Sequence, residues 1–336
     1  MIRAVFVAAA LLLLISAPKS LGQTLLPLSA THYATFVSVL TWVLALFLVR
    51  EINAGLNRWA DNKWIWKGDD SNWDWKNEVA IVTGGSNGIG AMVVKKLLSH
   101  GIRVAVLDVA PFSDKYQNGN VKYYKCDITS RVQVHEAAET IRSDLGQPSI
   151  LINNAGIGNA NTILEMTPER LRKIFDVNLL SHWITVQEFL PQMILMKKGH
   201  IMSTASLAAF VGLAGMTDYA CTKAGLMAFH EGLTQELKHR YKCPQIKTSI
   251  VYPNWTRTRL TSAIEKDILN SMGSTIMDAK DVADIMVKHI ISAKSGQLIL
   301  GPSIVTIIRA LPAWLQEIIR DRMAQIVTVN ATTAVA

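Results

Sequence analysis

Cysteine is scarce. The 336 residues hold three, Cys126, Cys221 and Cys243, and neither the odd number nor the spacing suits a disulfide framework or a metal site. Reduced thiols and no metal centre are therefore expected. Dense clusters of Lys and Arg are also missing, although the formal net charge is +8. That argues against a nucleic-acid partner and suits a protein held beside an anionic cytosolic leaflet. There is no internal repeat and no long low-complexity linker. One α/β domain with an N-terminal extension accounts for the length.

Apolar residues are abundant, making up half of the chain, and they are unevenly placed. Two apolar runs fall in the first fifty residues, Ala4 to Ile15 and Ala34 to Val49. Each is somewhat short of the roughly 20 residues of a spanning helix, and Leu25 to Pro27 lengthens the second. The first run lies between Arg3 and Ser20-Leu21-Gly22 and has two readings: a cleaved signal peptide, or the first arm of a two-span hairpin. Lys and Arg are absent from Gln23 to Val49, whereas Arg50, Arg58, Lys63 and Lys67 follow. Under both readings the flank after Val49 then faces the cytosol. Trp59, Trp64, Trp66, Trp73 and Trp75 are interleaved with Lys and Asp. Such rings suit a headgroup layer, so Arg50 to Lys76 is expected at the membrane surface, with packing on the folded domain as the alternative. The expected organisation is an anchor over 1–50, a Trp-rich interfacial linker over 51–76, a catalytic domain over 77–301 and an amphipathic extension over 302–336.

From Glu78 onward the pattern alternates between strand and helix. Val79 to Val82 is a short β-branched run, hence a buried strand. Thr83-Gly-Gly-Ser-Asn-Gly-Ile-Gly90 follows, and Ala91 to His100 is expected to be helical. Glycines at 84, 88 and 90 permit a tight turn and close backbone approach, and the helix N-terminus beyond them favours a pyrophosphate. Arg103 to Leu107 is the second strand and ends in Asp108, eighteen residues after Gly90. A carboxylate there accepts hydrogen bonds from both ribose hydroxyls of adenosine and repels a 2′-phosphate, which favours NAD over NADP.

Further strands are expected at Val121–Tyr124, Ile150–Asn153, His200–Ser203, Ile246–Tyr252 and Gln297–Leu300. The helical period is plain in Val134, Ala137, Ala138, Ile141 and Leu145. Helices are expected over Pro168–Met196, with Asn178 in the middle, over Tyr219–Tyr241 and over Asp278–Ser292. The fold class is therefore α/β: a single Rossmann-like, doubly wound parallel sheet with helices on both faces, its ligands outside the carboxyl ends of the strands.

Tyr219 and Lys223 are four residues apart on an expected helix, so their side chains share a face. A phenol with a pKa of about 10 is a poor base at neutral pH. A cation about 4 Å away, at an effective dielectric of about 20, would favour the phenolate by about 4 kcal/mol. That is enough to bring the phenol within a general base's working range. Ser206 lies just past the fifth strand.

Together, Thr83-Gly-x-x-x-Gly-x-Gly90, Asn153-Asn-Ala-Gly156, Asn178, Ser206, Tyr219-x-x-x-Lys223 and Pro253 to Thr258 make the chain resemble a classical short-chain dehydrogenase/reductase over roughly Asn77 to Leu300. The resemblance implies Tyr219 as general acid/base and Ser206 as the donor to the substrate oxygen. It implies Lys223 on the nicotinamide ribose, lowering the phenol pKa, and Asn178 ordering a water in a proton relay. The implied cofactor contacts are Gly84, Ser86, Asn87, Gly88, Ile89, Gly90, Asp108, Asp127, Asn154, Ala155, Gly156, Tyr219, Lys223, Pro253, Thr256 and Thr258. Asp127 would meet the adenine. Asn254 stands where the family usually has Gly. The Pro-Asn-aromatic form, the apolar N-terminus and the segment Pro302 to Met323 resemble the membrane-associated retinol and 17β-hydroxysteroid dehydrogenase branch. The sequon Asn254-Trp-Thr256 would lie in an active-site loop on the cytosolic side, so it is not expected to be glycosylated.

The expected reaction is reversible hydride transfer between NAD and the carbinol carbon of an apolar alcohol: a retinoid, a steroid or a long-chain lipid. Arg259 to Met277 would be a lid. Two alternatives remain: NADPH-dependent reduction of a ketone in lipid or secondary-metabolite synthesis, and a non-catalytic lipid-surface scaffold. The second sits poorly with a complete Asn178, Ser206, Tyr219 and Lys223 set. A homodimer at the endoplasmic reticulum or a lipid droplet, its catalytic part in the cytosol, completes the expectation.

Overall fold

A computed structural model describes residues 29–65, 71–113, 119–262, 265, 268–269 and 276–324. The first apolar run, its candidate cleavage site, Trp66, much of the expected lid and the tail after Asn330 lie outside the described residues. The chain divides into two units, Met1–Trp66 and Lys67–Ala336.

In the first unit, helix α1 spans Ala30–Asp61, and the Ser29 hydroxyl caps it by accepting from the His32 amide. It is long and apolar enough to cross a membrane. At 1.5 Å per residue it is about 48 Å long, against a hydrocarbon core of about 30 Å. Gly55 is the weakest helix former between Glu51 and Asp61, and a single glycine costs only about 1 kcal/mol. The helix therefore continues without a break through Arg50. It ends where Lys63 and Trp64 take positive φ angles.

The second unit is the α/β domain. Strands β1 (Val79–Thr83), β2 (Arg103–Asp108), β3 (Val121–Lys125), β4 (Ile150–Asn153), β5 (His200–Thr204), β6 (Lys247–Pro253) and β9 (Gly296–Leu300) form one sheet in the order β3-β2-β1-β4-β5-β6-β9. Every pairing in it is parallel. The short β7 (Thr256–Arg257) and β8 (Met277–Asp278) pair separately. The helices are α2 (Gly88–Ser99), α3 (Arg131–Leu145), α4 (Pro168–Phe175), α5 (Ser181–Leu195), α6 (Thr217–His239), α7 (Ala279–Ile291), α8 (Ile304–Ile307) and α9 (Ala313–Ala324).

The two faces of the sheet follow from the twofold period of a strand. Val79 and Ile81 of β1 join a core with Ile141 of α3, Phe189 of α5 and Leu237 of α6. The alternating Ala80 and Val82 join the opposite core with Leu97 of α2 and Met286 of α7. Strand order reverses between β1 and β4, so the loops leaving these two strands part and open a crevice.

Two details depart from expectation. The segment Pro168–Met196 is not one regular helix: a π-turn over Asp176–Leu180, carrying Asn178, separates α4 from α5. Trp73 and Trp75 stack 4.9 Å apart and pack, half-buried, against the sheet core. The Lys198 ammonium lies 5.1 Å over the Trp73 ring and pairs with buried Glu78. The interfacial segment expected over Arg50–Lys76 therefore excludes these two rings, because a folded apolar surface is there to cover them.

Candidate active site

The crevice is built first from backbone. After β1, Gly84 and Gly88 adopt φ of 65° and 56°, which only glycine enters freely. A Cβ on Gly90 would lie 2.2 Å from the Gly84 carbonyl oxygen and 2.6 Å from the Asn154 amide nitrogen. Glycine is thus required for the helix to approach the turn. The Thr83 hydroxyl accepts from the backbone amides of Asn154 and Ala155 at 3.0 and 3.1 Å. Asn154 Nδ2 donates to the carbonyls of Thr83 and Gly84. These bonds lace the β1 and β4 turns together at the point where strand order reverses.

Asp108 ends β2 with its carboxylate facing the glycine turn. Its oxygens accept from the amides of Ser86, at 3.0 Å, and Ala110, at 2.9 Å. Asp127 accepts from the amide and hydroxyl of Thr129. Across the crevice, the Thr258 side chain sits 3.2 Å from where a Gly88 Cβ would be. At the departure from the family pattern, the Asn254 amide donates to the Leu300 carbonyl, and the Asn254 carbonyl accepts from the Thr256 hydroxyl. The loop therefore remains tied to β9 without the usual glycine.

Tyr219 and Lys223 come from the first turns of α6, and Ser206 from the turn after β5. Lys223 Nζ lies 5.4 Å from the Tyr219 ring centroid and donates to the Thr204 carbonyl at 2.9 Å. Asn178 is fully buried. Its side chain accepts from the Ile157 amide and donates to the Ile157 carbonyl, both at 2.8 Å. It clamps the loop after Gly156 and sits behind the cavity wall, where the sequence suggested a water ligand.

One cavity of about 1440 Å³ gathers Gly84, Asn87, Gly88, Ile89, Asp108, Asp127, Asn154, Ala155, Gly156, Ser206, Tyr219, Lys223, Pro253, Thr256 and Thr258. Of the residues singled out in the sequence, Ser86, Gly90 and Asn178 support it from outside the lining. Small-molecule pockets run to about 300–1,000 Å³, so this one has room for a dinucleotide and a second molecule. Its lining also holds the apolar Leu207, Val211, Leu213, Met216, Leu260, Val305 and Met323, most of them in one cluster with Tyr219, beside the charged Glu169, Arg170, Arg172, Lys173, Asp176 and Arg259.

The short chain dehydrogenase family model matches residues 78–269. The chain belongs to that family. Dehydrogenase RED2 of Cochliobolus heterostrophus is 44% identical over 184 residues, which cover 54% of this chain and 69% of that protein. Retinol dehydrogenase 10-B of Xenopus laevis is 30% identical over 223 residues, covering 57% and 64%. Among solved structures, a short-chain dehydrogenase/reductase from Burkholderia phymatum in complex with NAD aligns with a TM-score of 0.62 at 22% identity, over 70% of this chain and 93% of that one. That likeness shows the fold. As a short-chain dehydrogenase the chain is an oxidoreductase acting on CH–OH groups with a pyridine nucleotide.

In this short-chain dehydrogenase burial dominates the electrostatics of the site. Burial pushes the Tyr219 phenol up to about 12, against a hydrogen bond with Ser206 that lowers it. Burial brings the Lys223 ammonium down to about 8. Both groups are desolvated, and at the phenol burial outweighs the hydrogen bond with Ser206. His182, behind Lys223, is pushed down to about 3 by burial and then by the lysine charge.

A dinucleotide fits the residues present: the glycine cradle would be filled by any Cβ, and Asp108 presents a carboxylate at the strand end. Sequence reasoning named Thr83 only as the first residue of the glycine motif and missed Asn159, Asp218 and the apolar residues from Val211 to Met216 and Met323. Asp218, directly before Tyr219, carried a signal as a carboxylate in the first turn of an apolar-faced helix. Met323 carried none, since only the tertiary fold brings α9 to the cavity.

Proposed function

We propose that the protein oxidises an apolar alcohol with NAD, Tyr219 taking the hydroxyl proton as hydride leaves the carbinol carbon. The observation that carries this reading is that Tyr219, Ser206 and Lys223 line one cavity together with the glycine turn, Asp108 and a set of apolar side chains. Bound NAD supplies the hydride acceptor and a positive charge. A cation beside the phenol opposes the burial that holds it up to about 12 and favours the phenolate. Ser206 holds the substrate oxygen by hydrogen bonding. Lys223 holds the ribose and adds its charge beneath the phenol. Asp108 accepts from the adenosine ribose and disfavours a 2′-phosphate, Asp127 faces the adenine, and Asn154 to Gly156 line the cofactor with Pro253, Thr256 and Thr258. Asn178 positions that lining by clamping Ile157.

Seven apolar side chains around the inner cavity support a retinoid, steroid or long-chain substrate. Helix α1 supports anchoring in a membrane; a homodimer at the endoplasmic reticulum or a lipid droplet, with the catalytic unit in the cytosol, completes the proposal. A screen of NADH formation by membrane fractions with retinoids, sterols and long-chain alcohols tests the reading. Turnover of at least one of them, with NAD preferred to NADP, is expected. Oxidation confined to small hydrophilic alcohols, or faster with NADP, would contradict it.

A further inference from the structure

Asn254 is a polar lining residue that the proposed reaction leaves unused. It stands where the family usually has glycine and is half-buried in the cavity wall. Its backbone is fixed on both sides: the amide donates to the Leu300 carbonyl at 2.9 Å, and the carbonyl accepts from the Thr256 hydroxyl at 2.8 Å. Its side-chain amide has no hydrogen-bond partner among the described residues, and both of its polar atoms retain accessible surface.

The side chain sits toward Ser206. A Cβ on Gly301 would be 3.2 Å from Asn254 Cβ, 3.5 Å from Asn254 Cγ and 2.6 Å from Leu207 Cδ1, so Asn254 and Leu207 flank that glycine. Leu207 directly follows Ser206, lines the cavity and packs in one cluster with Tyr219 and Val305. Asn254 is therefore held at the end of β6, beside the turn that carries the hydroxyl donor of the proposed reaction.

In the free enzyme water meets an accessible amide of this kind. A wholly apolar substrate that displaces the water leaves one donor and one acceptor unmet, whereas a substrate with a matching oxygen replaces the lost bonds. Glycine at this position would carry no such preference.

We propose that Asn254 is a specificity residue, its carboxamide selecting apolar alcohols that carry a second oxygen function, a hydroxyl or a carbonyl, in addition to the reacting carbinol. This deepens the reading of the cavity as an alcohol site and rests on it.

The test uses the full-length protein in membranes with 2-decanol and with decanediols that add a second hydroxyl at successive carbons. At least one diol should exceed 2-decanol about fivefold or more in kcat/KM, the scale of one neutral hydrogen bond and beyond the factor of about two that a second carbinol gives by number alone. In Asn254→Leu, which keeps the volume, and in Asn254→Gly, that ratio should fall to about two or below. If a variant turns over too slowly to measure, binding of 2-decanone and of the matching hydroxyketone to its NADH complex, read by nicotinamide fluorescence, gives the comparison. A wild-type enzyme that oxidises 2-decanol but prefers no diol would overturn the proposal, as would a preference that survives both substitutions. So would variants that lose NADH affinity and slow every alcohol alike, since the amide would then serve the nicotinamide. Wild-type failure on every probe, with NADH still bound, would strike the alcohol site itself and the specificity residue with it.

Discussion

The two ends of the cavity are made in different ways. The cofactor end consists of backbone and short polar side chains at strand ends: the glycine turn after β1, Asp108 after β2 and Asn154 after β4, tied by bonds through Thr83. The substrate end is lined by side chains from distant parts of the chain, from Ile157 through Leu213 and Leu260 to Met323. A cofactor of fixed shape is met by local motifs, whose glycines and carboxylates must be those residues for steric or electrostatic reasons. A substrate that differs among family members is met by packing, where many apolar residues serve equally well. Tyr219 stands at the seam and belongs to both.

The sharpest way to break this comparison is to remove the group at the seam. Tyr219→Phe should lower turnover by about 10²–10⁴, the range of general acid–base catalysis, with NADH affinity by fluorescence near wild type. Appreciable turnover would give the proton transfer to another group. At the cofactor end, Asp108→Ala should weaken NAD by about 1.5–3 kcal/mol, the scale of hydrogen bonds to a charged group, and narrow the NAD/NADP ratio of kcat/KM. A wild-type preference for NADPH would refute the role of that carboxylate. Gly90→Ala puts a methyl group against the Gly84 carbonyl. An overpacking penalty of about 1–3 kcal/mol is expected, seen as weaker NADH binding or a lower Tm.

The smallest effect concerns the wall shared by the two ends. His182 ionises at 6.5 when unfolded and at about 3 when buried, so below pH 6.5 the unfolded chain binds a proton that the folded chain refuses. The stability contribution is complete above 6.5 and is lost as pH falls toward 3, by about 1.4 kcal/mol for each unit. His182→Gln should flatten urea-denaturation stability between pH 7.5 and 5.5 by that amount. An unchanged slope would mean that another group titrates there.

Much of the catalytic domain was legible because its signals are local. Every expected strand is present within a residue or two, and the order of motifs placed the glycine turn, Asp108, Asn153, Ser206 and Pro253 at carboxyl ends of strands. What was not legible depended on neighbours far along the chain. The π-turn at Asn178 has no sequence mark, because the extra residue is stabilised by the Ile157 bonds it allows. Trp73 and Trp75 look interfacial until Lys198 and Glu78 are seen beneath them. The helical spacing of Tyr219 and Lys223 was read as a shared face, but spacing carries no information about burial, and burial opposes the expected lowering of the phenol pKa.

Burial raises the Tyr219 phenol, and neighbouring positive charge must lower it for catalysis. The direct measurement is the pH dependence of kcat/KM for alcohol oxidation at saturating NAD, in the wild type and in Lys223→Met. The expected wild-type profile rises with pH through a single ionisation well below 12, and in Lys223→Met that ionisation moves upward. An inflection at the same pH in both proteins would contradict the claim.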